Sequence, residues 1–520
     1  MLTIPHIDRD DKLKSLAGAC PATGADAANA GWVELAKPVL GPMAPSVMAH
    51  EVLGVWSHRH DYAAPLQVMR VADDDEHRDR RRKKPADVLR PEYHALRSYL
   101  LPVNDTMTNQ SEPDRSSSPR PSAQTTSAAV IGGGPAGLVA ALALAHFGVP
   151  TALVAPQPSR IDNRTTALMA PSVKALEALG VWSRCRDHAA PLRVMRIADD
   201  TGRLWRAPEV RFEAAEIGLE AFAWNIENAH LVAALWDRIA AMLSLTHVAT
   251  VAQSVRVDDA GVAAALADGT TLNCQLAVGA DGRNSICRTA AGIALDSRTY
   301  PQTALTFTLS HTRPHHDIST EFHTAQGPFT LVPLPGARSS LVCVVAADEA
   351  ERLCALTGAA LDAEIERRSH SVLGKTRVEP GHGVFPMSVV TARSFAANRI
   401  ALVGEAAHLF PPIGAQGLNL GLRDAVTIAE IAGDIHRCGG DIGDATAAYD
   451  RRRRPDITSR TVAVDLLNRS LLSDFLAVQG VRGLGLYVLD SIGPLRRAAM
   501  REGVAPRAGM PALMRGEANV

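Results

Sequence analysis

Apolar and polar positions fall into a regular order only from about residue 127 onward. Residues 128–131 are apolar without interruption, the pattern of a short strand covered on both faces. A longer apolar block at 136–147 stops at Gly148 and predicts a buried helix, and 151–154 follows as a second short strand. Residues 224–242 read as a helix, 251–272 as short alternating strands, and 276–279 as another buried strand. Between 303 and 345, β-rich runs alternate with Pro and Gly turns, as in an antiparallel sheet. Residues 400–403 return to the parallel-strand pattern, and helices prevail from 418 to the end. Parallel strand–helix units interrupted by an antiparallel block predict an α/β chain, in which a nucleotide-binding domain carries an inserted second domain and a helical C-terminal segment.

The first 106 residues differ from the rest, with a mixed-charge run at 73–84 and many helix breakers. Residues 43–74 repeat residues 169–200 with 23 identities in 32 positions. A solenoid would show further copies, and the sequence has none. The copied piece lacks the glycine loop and strands that would surround it, so it cannot rebuild a ligand site. It reads as a duplication remnant or an upstream-extended reading frame rather than a regulatory or dimerising arm, which makes Met107 a plausible start. Residues 108–127 are rich in Ser and Pro and read as a disordered leader. The expected division is therefore a poorly ordered extension (1–126), a nucleotide domain (127–189, 220–294 and 392–435), an inserted domain (190–219 and 295–391), and C-terminal helices (436–520).

Composition narrows the function classes. The chain has 520 residues, 46% hydrophobic and 21% charged, with a net charge of −1, which gives no reason to expect nucleic acid as a partner. Its seven cysteines are dispersed without a CxxC pair, so reduced thiols in a cytoplasmic setting are expected, not a disulfide framework or a zinc site. No signal peptide is visible, and no apolar run reaches the roughly 18 residues of a membrane span.

Three segments carry chemistry. Gly132, Gly134 and Gly137 form GxGxxG directly between a strand and a helix. The first glycine permits the turn, the second lets a pyrophosphate approach the backbone, and the third allows close helix packing, so the fold reads as Rossmann-like. Pro135 suits the first helical turn, and Ala136 lies within the motif. The acidic residue that grips a ribose should end the next strand, yet that position is Ala155; Arg164 is the candidate to supply a phosphate or ribose contact instead. Asp281 and Gly282 follow the strand at 276–279, with Ser285 and Arg288 completing DGxxSxxR. Glu405 follows the strand at 400–403, in position for a ribityl or ribose hydroxyl. His408 sits among apolar residues, the setting of a structural hydrogen-bonder more than of a catalytic base. Pro411 and Pro412 stiffen a loop, and Gly414, Gln416, Gly417 and Asn419 open the next helix, whose positive end suits negative charge on a ligand ring.

Together these segments resemble the flavoprotein aromatic hydroxylases of the para-hydroxybenzoate hydroxylase fold. HLFPPIGAQGLNLGLRDA and DNRTTALMAPSVKALEALGVW are similar to the signatures of the ubiquinone-biosynthesis hydroxylases within that fold. The resemblance covers roughly residues 127–501. It departs from the family at Glu405, where an aspartate is usual, and at Ala155. It implies FAD, held by Gly132, Gly134, Ala136, Gly137, Arg164, Asp281, Gly282, Glu405, Gly414, Gln416, Gly417 and Asn419, with Pro411, Pro412 and Gly414 near the isoalloxazine. It also implies O₂ as co-substrate, NAD(P)H or a protein electron donor as reductant, and a prenylated phenol as the molecule hydroxylated. The cofactor carries the difficult chemistry, so no acid–base residue or metal is required.

A quinone-biosynthesis complex is an implied partner, and so is the inner face of the cytoplasmic membrane. Leu467, Leu471, Leu472, Phe475 and Leu476 fall at helical spacing near Arg482, Arg496, Arg497 and Arg501. That stripe reads as membrane contact or, with slight preference, as packing on the core. Two alternatives stay open beside the hydroxylase: a reductase or dehydrogenase on the same scaffold, and a flavin-free accessory subunit.

Overall fold

A computed structural model describes residues 123–472 except 158–161, 163, 203–207 and 413, together with 485, 487, 491–506 and 509–517. The repeated segment 43–74 and Met107 lie outside the described residues.

The parallel strands at 128–131, 151–154, 276–279 and 400–403 meet in one sheet. Across it lie Ile400–Leu402, Thr271–Gly279, Ala123–Ile131, Thr151–Val154 and Leu245–Val248, all parallel. Residues 128–131 are at most 3% exposed, as an uninterrupted apolar run requires. The helix Pro135–His146 is buried from Gly137 through Ala145, so it is apolar all round rather than on one stripe. Its small side chains let the helix Gln416–Arg437 approach closely. A Cβ on Gly433 would lie 2.5 Å from Phe147 Cβ.

A second sheet holds Leu295–His311, Ile318–Thr324, Pro328–Leu334, Arg338–Ala346 and Gly383–Ala392, flanked by Val194–Asp200 and Val210–Glu213. Its pairings are antiparallel apart from Ile318–Thr324 against Val194–Asp200, which run parallel. The two-residue strand His408–Leu409 pairs with Gly383–Ala392, so the segment that leaves the nucleotide sheet passes directly along the edge of the second one. Among the described residues no helix is long and apolar enough to cross a membrane.

Two expectations need correction. Residues 123–127 are not a disordered leader: they extend the first strand, and Ala123 to Thr126 pair in register with Thr271 to Cys274. The polar Gln124 and Thr125 are exposed at the end of the sheet, where β-branched and polar residues serve as well as apolar ones. Residues 224–227 are strand, not helix. Ala223–Glu227 pairs with both Thr165–Met169 and Ala189–Leu192, and the helix begins only at Asn228. The buried Asn225 fixes this strand by donating to Pro333 O at 2.9 Å and Ser340 Oγ at 3.1 Å. Arg496 of the basic C-terminal group is held against the fold. It pairs with Glu216 at 2.8 Å and lies over Phe212. Phe475, Leu476 and Arg482 lie outside the described residues.

Candidate active site

Adjacent parallel strands end side by side, and each carries one of the three motifs at its carboxyl end. Gly132 follows Ile131, Ala280 and Asp281 follow Gly279, and Gly404 follows Leu402 by two residues. Backbone hydrogen bonds stitch these ends together: Ala280 N donates to Ile131 O at 2.8 Å, and Val403 N to Gly279 O at 3.0 Å. Distant sequence thus converges because strand register aligns it.

The glycines divide the work. Gly132 holds φ +120°, and a Cβ there would lie 2.2 Å from Ala280 O. A Cβ on Gly137 would lie 2.2 Å from Gly132 O. Both positions are glycine because the protein itself fills the space. Gly134 differs: a Cβ there meets nothing within 4 Å, so its backbone faces open space at the helix N-terminus. Gly417, in the first turn of the helix Gln416–Arg437, is open in the same way. Two helix starts with unhindered backbone therefore border the strand ends, and each favours negative charge.

Asp281 lies between them. Its Oδ2 accepts from Cys287 N at 3.2 Å, while its buried Oδ1 has no hydrogen-bond partner. A carboxylate oxygen left this way costs free energy unless a donor from a ligand meets it. Gly282 takes φ +80° in the turn that follows. Ser285 caps the short helix Ile286–Ala290 by accepting from Arg288 N at 2.9 Å. Arg288, buried, donates to Ala406 O at 3.0 Å and Arg283 O at 2.7 Å, which ties the second motif to the third.

The third segment is held from behind. A Cβ on Gly421 would lie 3.0 Å from Gly404 Cα and 3.4 Å from Ala136 Cβ, so Ala136 works as a spacer between the glycine helix and this turn. Gly414 and Ala415 both take left-handed backbone, with φ of +66° and +53°. For Ala415 that conformation is strained and is held by its surroundings: its carbonyl accepts from Asn419 Nδ2 at 2.7 Å. Asn419 also donates to Ala167 O, while its Oδ1 accepts from Met169 N and Ser172 Oγ. All four of its hydrogen-bonding positions are filled within the protein. The Asn419 side chain thus holds the loop in shape, which leaves the backbone as what this position can offer a ligand. Gln416 is likewise engaged, accepting from Arg460 Nη1 at 2.7 Å.

Glu405 is about half exposed and pairs with Arg283 at 3.0 Å. Arg164 is paired close to its own place in the chain. Its guanidinium makes two 2.8 Å contacts with Asp162, and it lines a cavity of about 460 Å³ together with Arg283, Glu405, Pro411 and Pro412. The opposite wall of that cavity comes from the second sheet through Phe307, Phe385 and Met387, with Thr306, Thr308 and His382 as polar points. Ala155 is fully buried, and its carbonyl lies 2.9 Å from His247 Nε2, so no acid stands where the ribose contact was expected.

His408 is buried, with Nε2 2.6 Å from Asp424 Oδ2. That is the structural role its apolar surroundings suggest. Asp424, also fully buried, accepts from Arg453 Nε at 2.7 Å and from Gly404 N at 3.2 Å. Burial pushes the Asp424 carboxyl up, but His408 and Arg453 beside it outweigh burial and hold it below the ordinary carboxylate range. Sequence reasoning missed this buried group. The spacing of Tyr449, Arg453, Asp456 and Arg460 on one helix was the available signal.

A long ligand with an anionic middle and a flat end fits these features: two open helix starts, an unpaired acceptor between them, and an apolar-walled cavity at one end. The family model of the FAD binding domain matches residues 125–458. The ubiquinone hydroxylase UbiL of Rhodospirillum rubrum is 34% identical over 402 residues, covering 74% of this chain and 92% of that protein. The 3-demethoxyubiquinol 3-hydroxylase of Escherichia coli is 30% identical over 395 residues, covering 73% and 98%. The crystal structure of p-nitrophenol 4-monooxygenase PnpA from Pseudomonas putida shares the fold, with a TM-score of 0.61 at 19% identity, over 74% of this chain and 99% of that one. The fold and site define a flavoprotein monooxygenase. The chain belongs to the FAD-dependent hydroxylases of ubiquinone biosynthesis.

Proposed function

We infer that this chain hydroxylates the aromatic ring of a prenylated phenol on the route to ubiquinone. The observation that carries this reading is the meeting of the three motifs at neighbouring strand ends beside a cavity walled by the second sheet. FAD, when bound, would activate O₂, which is the source of the oxygen atom transferred, with NAD(P)H or a protein donor as the source of electrons.

The chain's own residues bind, orient and exclude water. Gly132 and Gly137 shape the first turn, Ala136 spaces it from Gly404, and Gly134 brings backbone amides to the pyrophosphate. Asp281, beside Gly282, offers its unpaired oxygen to a ribityl or ribose hydroxyl. Glu405 offers a second acceptor once it leaves Arg283, and Arg164 faces the same end of the site. The start of the helix at Gln416 and Gly417 favours negative charge on the ring, and Asn419 fixes the turn through Gly414. Pro411 and Pro412 stiffen the loop where it meets the cavity. The apolar wall of Phe307, Phe385 and Met387 keeps water from the reacting ring.

Labelled dioxygen tests the reading. Purified protein given FAD, a reductant and a prenylated phenol should place one ¹⁸O atom in the product. Oxidised product without label would make the chain a dehydrogenase instead.

A prenyl tail also suggests contact with an anionic membrane through the exposed Val462 and Leu466, with Arg497 and Arg501 as candidate cations. Replacing both arginines by glutamate should weaken co-sedimentation with anionic vesicles. Undiminished binding would remove this part of the reading.

A further inference from the structure

One face of the helix Ala445–Leu472 holds both ends of the segment from Leu402 to Gln416. Tyr449, Arg453, Asp456 and Arg460 are spaced four, three and four residues apart, which lines them up on a single side of an α-helix. Tyr449 donates its hydroxyl to Leu402 O at 2.7 Å, at the end of the strand Ile400–Leu402. Arg453 holds Asp424, which in turn holds Gly404 N and His408. Asp456 accepts from Arg453 at 2.6 Å, Arg423 at 2.7 Å and Arg460 at 2.8 Å. Arg460 then reaches Gln416 Oε1 at 2.7 Å, the first residue of the helix that closes the loop. Both ends of the segment from Leu402 to Gln416 are therefore pinned by one helix.

The charges of this brace do not balance. Arg423, Arg453 and Arg460 supply three cations against the two carboxylates Asp424 and Asp456, an excess of one. All five side chains are at most 16% exposed, so water screens them poorly. Arg460, the member nearest the loop, adds its charge to a helix start that is already the positive end of a dipole.

We propose that Arg460, acting through Gln416, is a positioning residue that aims this helix start at the flavin ring and raises the reduction potential of bound FAD. The inference rests on the FAD reading above. A brace that only stabilised the fold would leave the potential where it is.

The test compares the FAD-loaded wild type with Arg460→Met, Arg460→Lys, Gln416→Ala and the double variant Arg460→Met/Gln416→Ala, by dye-equilibrated reductive titration. Arg460→Met, which removes both charge and contact, should weaken the preference for reduced FAD about tenfold, which a two-electron couple reads as a fall of about 30 mV. Gln416→Ala, which removes the contact alone, should weaken it by less. The double variant should fall no further than Arg460→Met, because both changes break the same contact. Arg460→Lys, which keeps the charge, should recover part of the shift. Gln416→Ala leaves Arg460 on Asp456, so the answer does not depend on how well Arg460→Met folds. Variants that hold FAD at the wild-type potential, or whose shifts add, would overturn the inference alone. Wild-type protein that takes up no FAD would overturn the proposed function as well.

Discussion

Gly132→Ala and Gly134→Ala, two residues apart, should fail in different ways. At Gly132 the new Cβ would sit 2.2 Å from Ala280 O and 2.5 Å from Ala280 C, at φ +120°. Neither neighbour is a flexible side chain that could swing aside, since both are backbone of an adjacent strand end. The strain is expected to cost more than about 4 kcal/mol, the range reserved for named structural failures. Gly132→Ala should therefore express poorly or melt far below the wild type. At Gly134 the new methyl meets nothing within 4 Å, so the fold should survive with a loss of less than about 1 kcal/mol. The methyl would instead occupy the approach to the backbone amides. Losing one or two charge-assisted hydrogen bonds there, at about 1.5–3 kcal/mol each, should weaken FAD binding at least tenfold. Thermal melts without FAD, paired with flavin-fluorescence titrations, separate the two results. Equal losses in stability would mean that Gly134 is a packing glycine and that no pyrophosphate passes over it.

Asp424→Ala should be the most damaging change away from the ligand. It leaves Arg453, 1% exposed, as a buried cation without its main partner, and it removes the acceptor for Gly404 N and His408. Breaking one side of such a pair costs on the order of 3–5 kcal/mol, because the remaining charge stays buried. The pH dependence follows from the direction of its shift. The folded carboxyl lies below its unfolded value, so its contribution is complete above the unfolded pKa and fades as pH falls toward the folded one. The gap in melting temperature between wild type and Asp424→Ala should thus be widest near neutrality and shrink on acidification below about pH 4. A gap that stayed constant down to pH 3 would mean the carboxylate is not what stabilises this cluster.

The parts of the site that were legible in the sequence are those whose meaning is local. GxGxxG, the DG motif and the Gly404–Glu405 turn each follow a short apolar strand, and a strand end followed by glycine or acid has few other uses. Residues 124–126 read as linker because they are polar, yet pairing with 271–274 satisfies their backbone at the exposed end of the sheet. The strand Ala223–Glu227 runs into the following helix without a breaker, so a helical reading extended too far back. The side-chain role of Asn419 was not legible for a different reason. Its partners Ala167, Met169 and Ser172 lie about 250 residues upstream, and no spacing rule shows that its amide is already filled. Arg164 stood out as a candidate phosphate or ribose contact, but its pairing with Asp162, two residues away, shows only in the fold. Tyr449, Arg453, Asp456 and Arg460 show one helix face in their spacing, but what that face touches is set by tertiary packing alone.

The central claim is that one elongated cofactor is clasped by strand ends drawn from three distant parts of the chain. A crystal structure with FAD bound tests it most directly. The pyrophosphate should lie over Gly134, a ribityl or ribose hydroxyl within hydrogen-bond reach of Asp281, and the isoalloxazine against the helix start at Gly417. Electron density for FAD that touched only one of these residues, and left the other two facing separate cavities, would contradict it.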